Sequence, residues 1–172
     1  GFNEDENQYI KDVSTQIPIM LLNASFDHPN VYSTLCDDYG TMFEAATEIN
    51  QLFKESVHNS LIDWYNDYSP MTYERTNNFM NVYQSARTTV SGNILNLQAD
   101  CFLMNTYPGW LGQPLNVATA FDYMFMNGEH GHGRWMMHQS IPPFEIVDRD
   151  FQNGFGDRVQ KIIDRKAKEL FR

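Results

Sequence analysis

From Asp37 to Tyr68 apolar side chains return every three or four positions: Tyr39, Met42, Phe43, Ala46, Ile49, Phe53, Val57, Leu61, Trp64, Tyr65 and Tyr68. That spacing sets them along one face of a long amphipathic helix. Thr41 with Glu44, or Asp37 a turn earlier, offers the N-terminal cap. Ser69-Pro70 ends the helix, because the residue before a proline is driven out of the α region. Beyond it the period falls to two. Met80, Val82, Ala86 and Val90 form one apolar row, and Leu95, Leu97, Ala99, Cys101 and Leu103 form another, opposite Asn96, Gln98 and Asp100. The two rows predict antiparallel strands joined by a hairpin at Ser91-Gly92-Asn93. A two-stranded sheet with one apolar face needs a cover, and the long helix supplies it.

A loop rich in turn formers, Tyr107 to Pro114, precedes a second helix from the N-cap Asn116 to Asn127. Val117, Ala120, Phe121, Met124 and Phe125 form its apolar face, and Gly128 is its stop. Trp135, Met136 and Met137 begin a further strand. A last helix spans about Asp157 to Phe171, with Val159, Ile162, Ile163, Ala167 and Leu170 inward. The expected class is α+β: a long N-terminal helix packed on a small antiparallel sheet, with a second helix and a C-terminal helix. Residues 1–30 read as a flexible or partner-docking arm, polar and acidic to about residue 16 and apolar from Ile17 to Leu22. Residues 31–172 read as a single domain.

Composition narrows the partners. The chain has 172 residues, enough for one domain with a real core. Its 42% hydrophobic content lies outside the disordered class. The net charge of −10, from 22 acids against 12 bases, disfavours nucleic-acid binding, which draws its affinity from clustered Lys and Arg. Cys36 and Cys101 stand far apart, with no metal-type spacing, as expected of buried reduced thiols. Neither a membrane-spanning run nor a signal peptide is legible. The chain starts at Gly1, and the sequence does not say whether that is the native start.

The candidate chemistry lies in Glu129-His130-Gly131-His132-Gly133. His130 and His132 alternate across a glycine, so an extended segment projects both from one face. With Glu129 or His138 they are candidate zinc ligands. Metal signatures of high specificity fix their ligands on a rigid helix, whereas this pair sits between glycines, where histidines more often form surface hydrogen bonds. No catalytic residue, no cofactor site and no metal set is assigned. A nucleophile elbow and a phosphate-binding glycine loop are both absent from the sequence. Asp63, Asp67 and Glu74 read as a solvated helix face and turn. Arg134 beside Trp135 is a candidate interface pair. The 9 methionines, dense around Met104, Met124, Met126, Met136 and Met137, read first as core filling.

Two stretches carry a resemblance. Trp64-Tyr65-Asn66-Asp67-Tyr68-Ser69-Pro70 closes the long helix just ahead of Tyr73-Glu74-Arg75-Thr76. Phe121 to Gly133, with Pro142-Pro143-Phe144 before the last helix, forms the second. Over roughly residues 37–171 this pattern resembles the tail-completion, or minor tail-component, family of long-tailed bacteriophages. The resemblance implies a non-enzymatic virion protein, assembled in the host cytoplasm. It implies a homo-oligomeric ring between head connector and tail tube, with other neck, connector and tail-tube proteins as partners. The arm at residues 1–22 and the Gly128–Phe144 connection are then the natural contact segments. The competing expectation is a small metal-binding protein or metal-dependent enzyme using His130 and His132.

Overall fold

A computed structural model describes residues 12–18, 39–71, 73–91, 94–104, 107–108, 114–131 and 138–170. The class is α+β, as the periodicities predict, with a long helix against a small antiparallel sheet and further helices behind it. Strand β1 (Asp12–Pro18) precedes helix α1 (Tyr39–Asp67). A 3₁₀ segment (Asn78–Ser85) leads into β2 (Arg87–Ser91) and β3 (Ile94–Asp100). The two-residue strands β4 (Tyr107–Pro108) and β5 (Pro114–Leu115) pair with each other. Helix α2 (Val117–Phe121) continues as a π turn (Asp122–Met126), followed by β6 (Glu129–His130) and β7 (His138–Gln139). Helices α3 (Pro143–Asp150) and α4 (Gly156–Leu170) close the described chain.

The main sheet has the order β1-β3-β2, both pairs antiparallel. β2 and β3 pair from Arg87↔Gln98 to Ser91↔Ile94, as the hairpin reading expects, with residues 92–93 outside the described set. β1 pairs with β3 from Asp12↔Asp100 to Pro18↔Ile94. Part of the segment read as a polar arm is therefore a strand of the sheet. Its alternation of small polar and apolar residues was hidden by the acidic run before it.

Helix α1 buries Ala45, Ile49, Phe53, Val57, Leu61 and Trp64. Thr41, offered as a cap, lies inside the helix, and Asp37 falls outside the described residues. Steps of four advance about 40° beyond a full turn at 3.6 residues per turn, so from Ala45 to Leu61 the stripe winds about 160° around the helix. One helix thus faces several partners in succession. Phe53 meets Phe151 edge-on at 6.3 Å, His58 stacks on Tyr83 at 4.3 Å, and Trp64 meets Phe79 at 5.0 Å. Five fully buried phenylalanines (Phe53, Phe79, Phe121, Phe125 and Phe155) fill the space between helices and sheet. Met104, Met124 and Met126 join that core, in keeping with gap-filling thioethers.

Three further expectations need correction. The row Met80 to Val90 is not one strand: Asn78–Ser85 is 3₁₀, and the strand starts at Arg87. Phe79 and Val82 are buried at a spacing of three, which suits three residues per turn better than a pleat. β3 buries Leu95, Leu97 and Ala99 as expected but ends at Asp100, and Leu103 faces solvent. The Pro142-Pro143 pair, read as part of a rigid connection, starts a helix. Pro143 sits at its first turn, where proline's fixed φ and missing N–H cost nothing, and Glu145 follows in that turn. This helix bends into α4 at Asn153 and Gly154, the latter at φ 124°. α4 buries Val159 and Ile163, as expected. The strand expected at Trp135 to Met137 lies outside the described residues.

Candidate functional site

Helix α1 ends at Asp67, and its last carbonyls need donors once the chain turns away at Tyr68. Arg75 returns to provide them. Its Nη1 donates to the Tyr65 carbonyl at 2.8 Å, and its Nη2 donates to the Tyr68 carbonyl. A cation at a helix C-terminus also meets the negative end of the helix dipole. The guanidinium lies over the rings of Trp64 and Tyr65, 5.6 and 5.0 Å from their centroids. Burial pushes the Tyr65 hydroxyl up to about 12, partly offset by Arg75.

The second wall of the site comes from the turn after α2. Asn116 caps that helix as expected, its Oδ1 accepting from the Thr119 amide at 3.2 Å. The Gly128 amide donates to the Met124 carbonyl at 3.1 Å, and Gly128 adopts φ 75°. A side chain here would also collide with the neighbouring strand, since a Cβ would fall 2.3 Å from the Ser140 carbonyl oxygen. Gly128 thus stops the helix and admits the close pairing of β6 with β7. That pairing sets His130 opposite His138 and brings Ser140 alongside.

His130 is fully buried, its ring stacked on Trp64 at 3.8 Å and 13°. Its Nδ1 lies 3.3 Å from Arg75 Nη2. A guanidinium can only donate, so Nδ1 accepts and the ring proton sits on Nε2. Nε2–H then donates to Ser140 Oγ at 2.6 Å, and the Ser140 hydroxyl donates to Asp67 Oδ2. His138 Nε2 lies 3.1 Å from the same oxygen, its ring stacked on Tyr68 at 5.1 Å. A continuous relay runs from Arg75 through His130 and Ser140 to Asp67, tying the end of α1 to the β6–β7 hairpin. Burial first, and then the Arg75 charge, push His130 down to about 4. The hydrogen bonds from Ser140 and His138 hold the Asp67 carboxyl below its usual range.

This arrangement holds a joint together more readily than it moves a proton. In a serine–histidine–carboxylate triad the serine donates to the histidine, and the carboxylate stabilises the charged ring. Here the histidine donates to the serine, the serine donates to the carboxylate, and the ring's other nitrogen faces a fixed cation. Neither His130 nitrogen is turned towards an open ligand position. Among the described residues no group of three or more His, Cys, Asp or Glu is arranged to hold a metal ion. His132, Arg134 and Trp135 lie outside the described residues. Asp63 and Glu74 are exposed, as read from the sequence. Asp67 is exposed too, yet it is the acceptor end of the relay, which a solvated helix face did not foretell. Arg75 and Ser140 were missed as site residues. An arginine a few residues beyond a helix stop was the available signal for the first, and nothing local marked the second.

A 47-residue stretch of the chain is 38% identical to part of a protein named an HTH-type transcriptional regulator from Lachnoclostridium phytofermentans. The match covers 27% of this chain and 14% of the regulator. No family model matches, and no solved structure matches. No described helix is long and apolar enough to cross a membrane.

Proposed function

We propose that this chain is a non-enzymatic structural component of a bacteriophage virion, a neck or tail-completion protein that forms a ring between head connector and tail tube. One observation carries the reading. The segments that bear the family resemblance, Trp64–Pro70, Tyr73–Thr76 and the turn through Gly128 and His130, converge on a single packed joint. The same joint uses both His130 nitrogens for internal bonds. That weighs against the competing reading, a metal-binding protein or metal-dependent enzyme built on His130 and His132. A regulator-like, DNA-binding role would need a basic face, and a net charge of −10 weighs against it.

The reading is tested by deleting the gene from the phage genome that carries it and imaging the lysate. Filled heads and separate tails are expected, with the protein found by peptide mass spectrometry in wild-type virions. Normally joined, infectious particles from the deletion strain would end the reading.

A further inference from the structure

The chain contains two Asn-Gly steps, Asn127-Gly128 and Asn153-Gly154, and the fold treats them differently. This dipeptide carries its own chemistry. The glycine amide nitrogen has no side chain beside it to hinder attack, and it lies within reach of the asparagine carboxamide. Both asparagines are exposed, so access does not separate the two steps. Backbone restraint does.

Asn127-Gly128 is bonded on every side. The Asn127 amide donates to the Asp122 carbonyl at 3.0 Å, and the Asn127 carbonyl accepts from Gln139 Nε2 at 3.1 Å. The Gly128 amide donates to the Met124 carbonyl at 3.1 Å, and the Gly128 carbonyl accepts from the Ser140 amide at 3.0 Å. Gly128 is also buried against the Ser140 backbone. This peptide cannot rotate without opening the turn and its bonds to the segment at Gln139 and Ser140.

Asn153-Gly154 forms the bend between α3 and α4. Both residues leave helical angles, Asn153 at φ −107° and ψ 31°, Gly154 at φ 124°. No neighbouring atom lies within 4 Å of the place a Gly154 Cβ would take, and the same holds at Gly156. The Asn153 side chain makes no hydrogen bond among the described residues. Across the bend, Arg158 Nη2 donates to Asp150 Oδ1 at 3.0 Å, a pair that ties the two helices at the surface and leaves the Asn153 carboxamide unengaged.

We infer that Asn153 is a self-modification site, where the Gly154 nitrogen closes a succinimide ring on the side-chain carboxamide and converts the residue to isoaspartate and aspartate. The Gly154 N–H proton passes to base as the nitrogen bonds to Asn153 Cγ. The bond from Cγ to the side-chain nitrogen then breaks, and ammonia leaves. Water opens the ring: addition at the side-chain carbonyl gives aspartate, and addition at the main-chain carbonyl gives isoaspartate. One water enters and one ammonia leaves, so the conversion needs no cofactor and no partner. Ring closure requires rotation about the Asn153 ψ angle, which an open glycine bend permits and a peptide bonded at both ends resists. Either product adds a negative charge to the bend. Isoaspartate also lengthens the main chain by one methylene between α3 and α4. The inference does not depend on the virion reading.

The test holds the purified full chain in warm, mildly alkaline buffer and follows tryptic peptides by mass spectrometry, with electron-transfer fragmentation to tell isoaspartate from aspartate. The peptide of residues 150–158 should lose its asparagine amide and yield mainly isoaspartate, while the peptide bearing Asn127 keeps its amide. In strong guanidinium chloride both asparagines should convert at similar rates, because the protection of Asn127 comes from the fold. Asn153→Gln, with circular dichroism checking its fold, should leave that peptide unchanged. An intact Asn153 in the folded chain, equally fast conversion of Asn127 there, or aspartate formed without isoaspartate would overturn the inference.

Discussion

Along its N-terminal half α1 is held by apolar burial and a few peripheral polar contacts. At its C-terminal end it is held by a polar relay that runs from the buried His130 ring to the exposed Asp67 carboxylate. In the first region Ile49 and Phe53 lie in the core, Asn50 donates to the Ala86 carbonyl at 3.2 Å, and Glu48 pairs with Arg165 at the surface. In the second, the Arg75 guanidinium, the His130 ring, Ser140 and the Asp67 carboxylate bond one another in sequence. The hydrophobic end rests on apolar burial, which carries no charge of its own. The polar end is specific in geometry and sensitive to protons. The same helix therefore combines a robust attachment with a conditional one.

The largest expected effect breaks the apolar end. Phe53→Ala removes a fully buried ring and should cost about 3–5 kcal/mol in urea unfolding, with little change in that cost between pH 5 and 8. A loss below 1 kcal/mol would mean that α1 does not depend on this stripe.

The next prediction concerns the polar end and its sign. The folded His130 sits at about 4 against 6.5 for the free side chain, so between those values the unfolded chain binds the proton and the folded chain does not. Stability from this residue is fully present above about pH 6.5 and is lost as pH falls towards 4, by at most about 3 kcal/mol at 1.36 kcal/mol per unit. Asp67, whose carboxyl is held low, adds a separate loss below 3.8. His130→Gln should be less stable than wild type at pH 7 and flatter between pH 6.5 and 4. Equal slopes for the two proteins, measured by urea unfolding across that range, would remove His130 as the source.

The smallest effect belongs to the ion pair at the robust end. Arg165 and Glu48 are both about half exposed, so water screens the pair. Glu48→Gln should change stability by about 0.2–1 kcal/mol, less still in 0.5 M salt. A larger, salt-insensitive loss would show that this end also depends on charge.

Much of the fold was legible because it rests on periodicity. Helix α1, the β2–β3 pairing, the Asn116 cap and the Gly128 stop each follow from side-chain repeats or from residues whose backbone preferences are local. Local signals that competed with one another were less legible. A double proline reads as a break and also as a helix start, and only the packing of Val147 into the core decides for the helix. Likewise, apolar residues at even positions read as a strand until Phe79 and Val82 turn inward together at a spacing of three.

The candidate site was half legible. The sequence drew attention to His130 as a candidate ligand, whereas Arg75 stood within a family pattern without being read as a site residue. By itself the sequence determined the helix stop at Ser69-Pro70, the glycine turn, and the placing of both residues beside such breaks, because each is set by the backbone preferences of neighbouring residues. Only the tertiary structure brought Asp67 to Ser140, 73 positions away, and Arg75 to His130, 55 positions away. Contacts across such separations leave no period or spacing in the chain. Whether a histidine is a ligand, a base or a buried strut depends on what faces its two nitrogens, and that is settled only when distant segments pack.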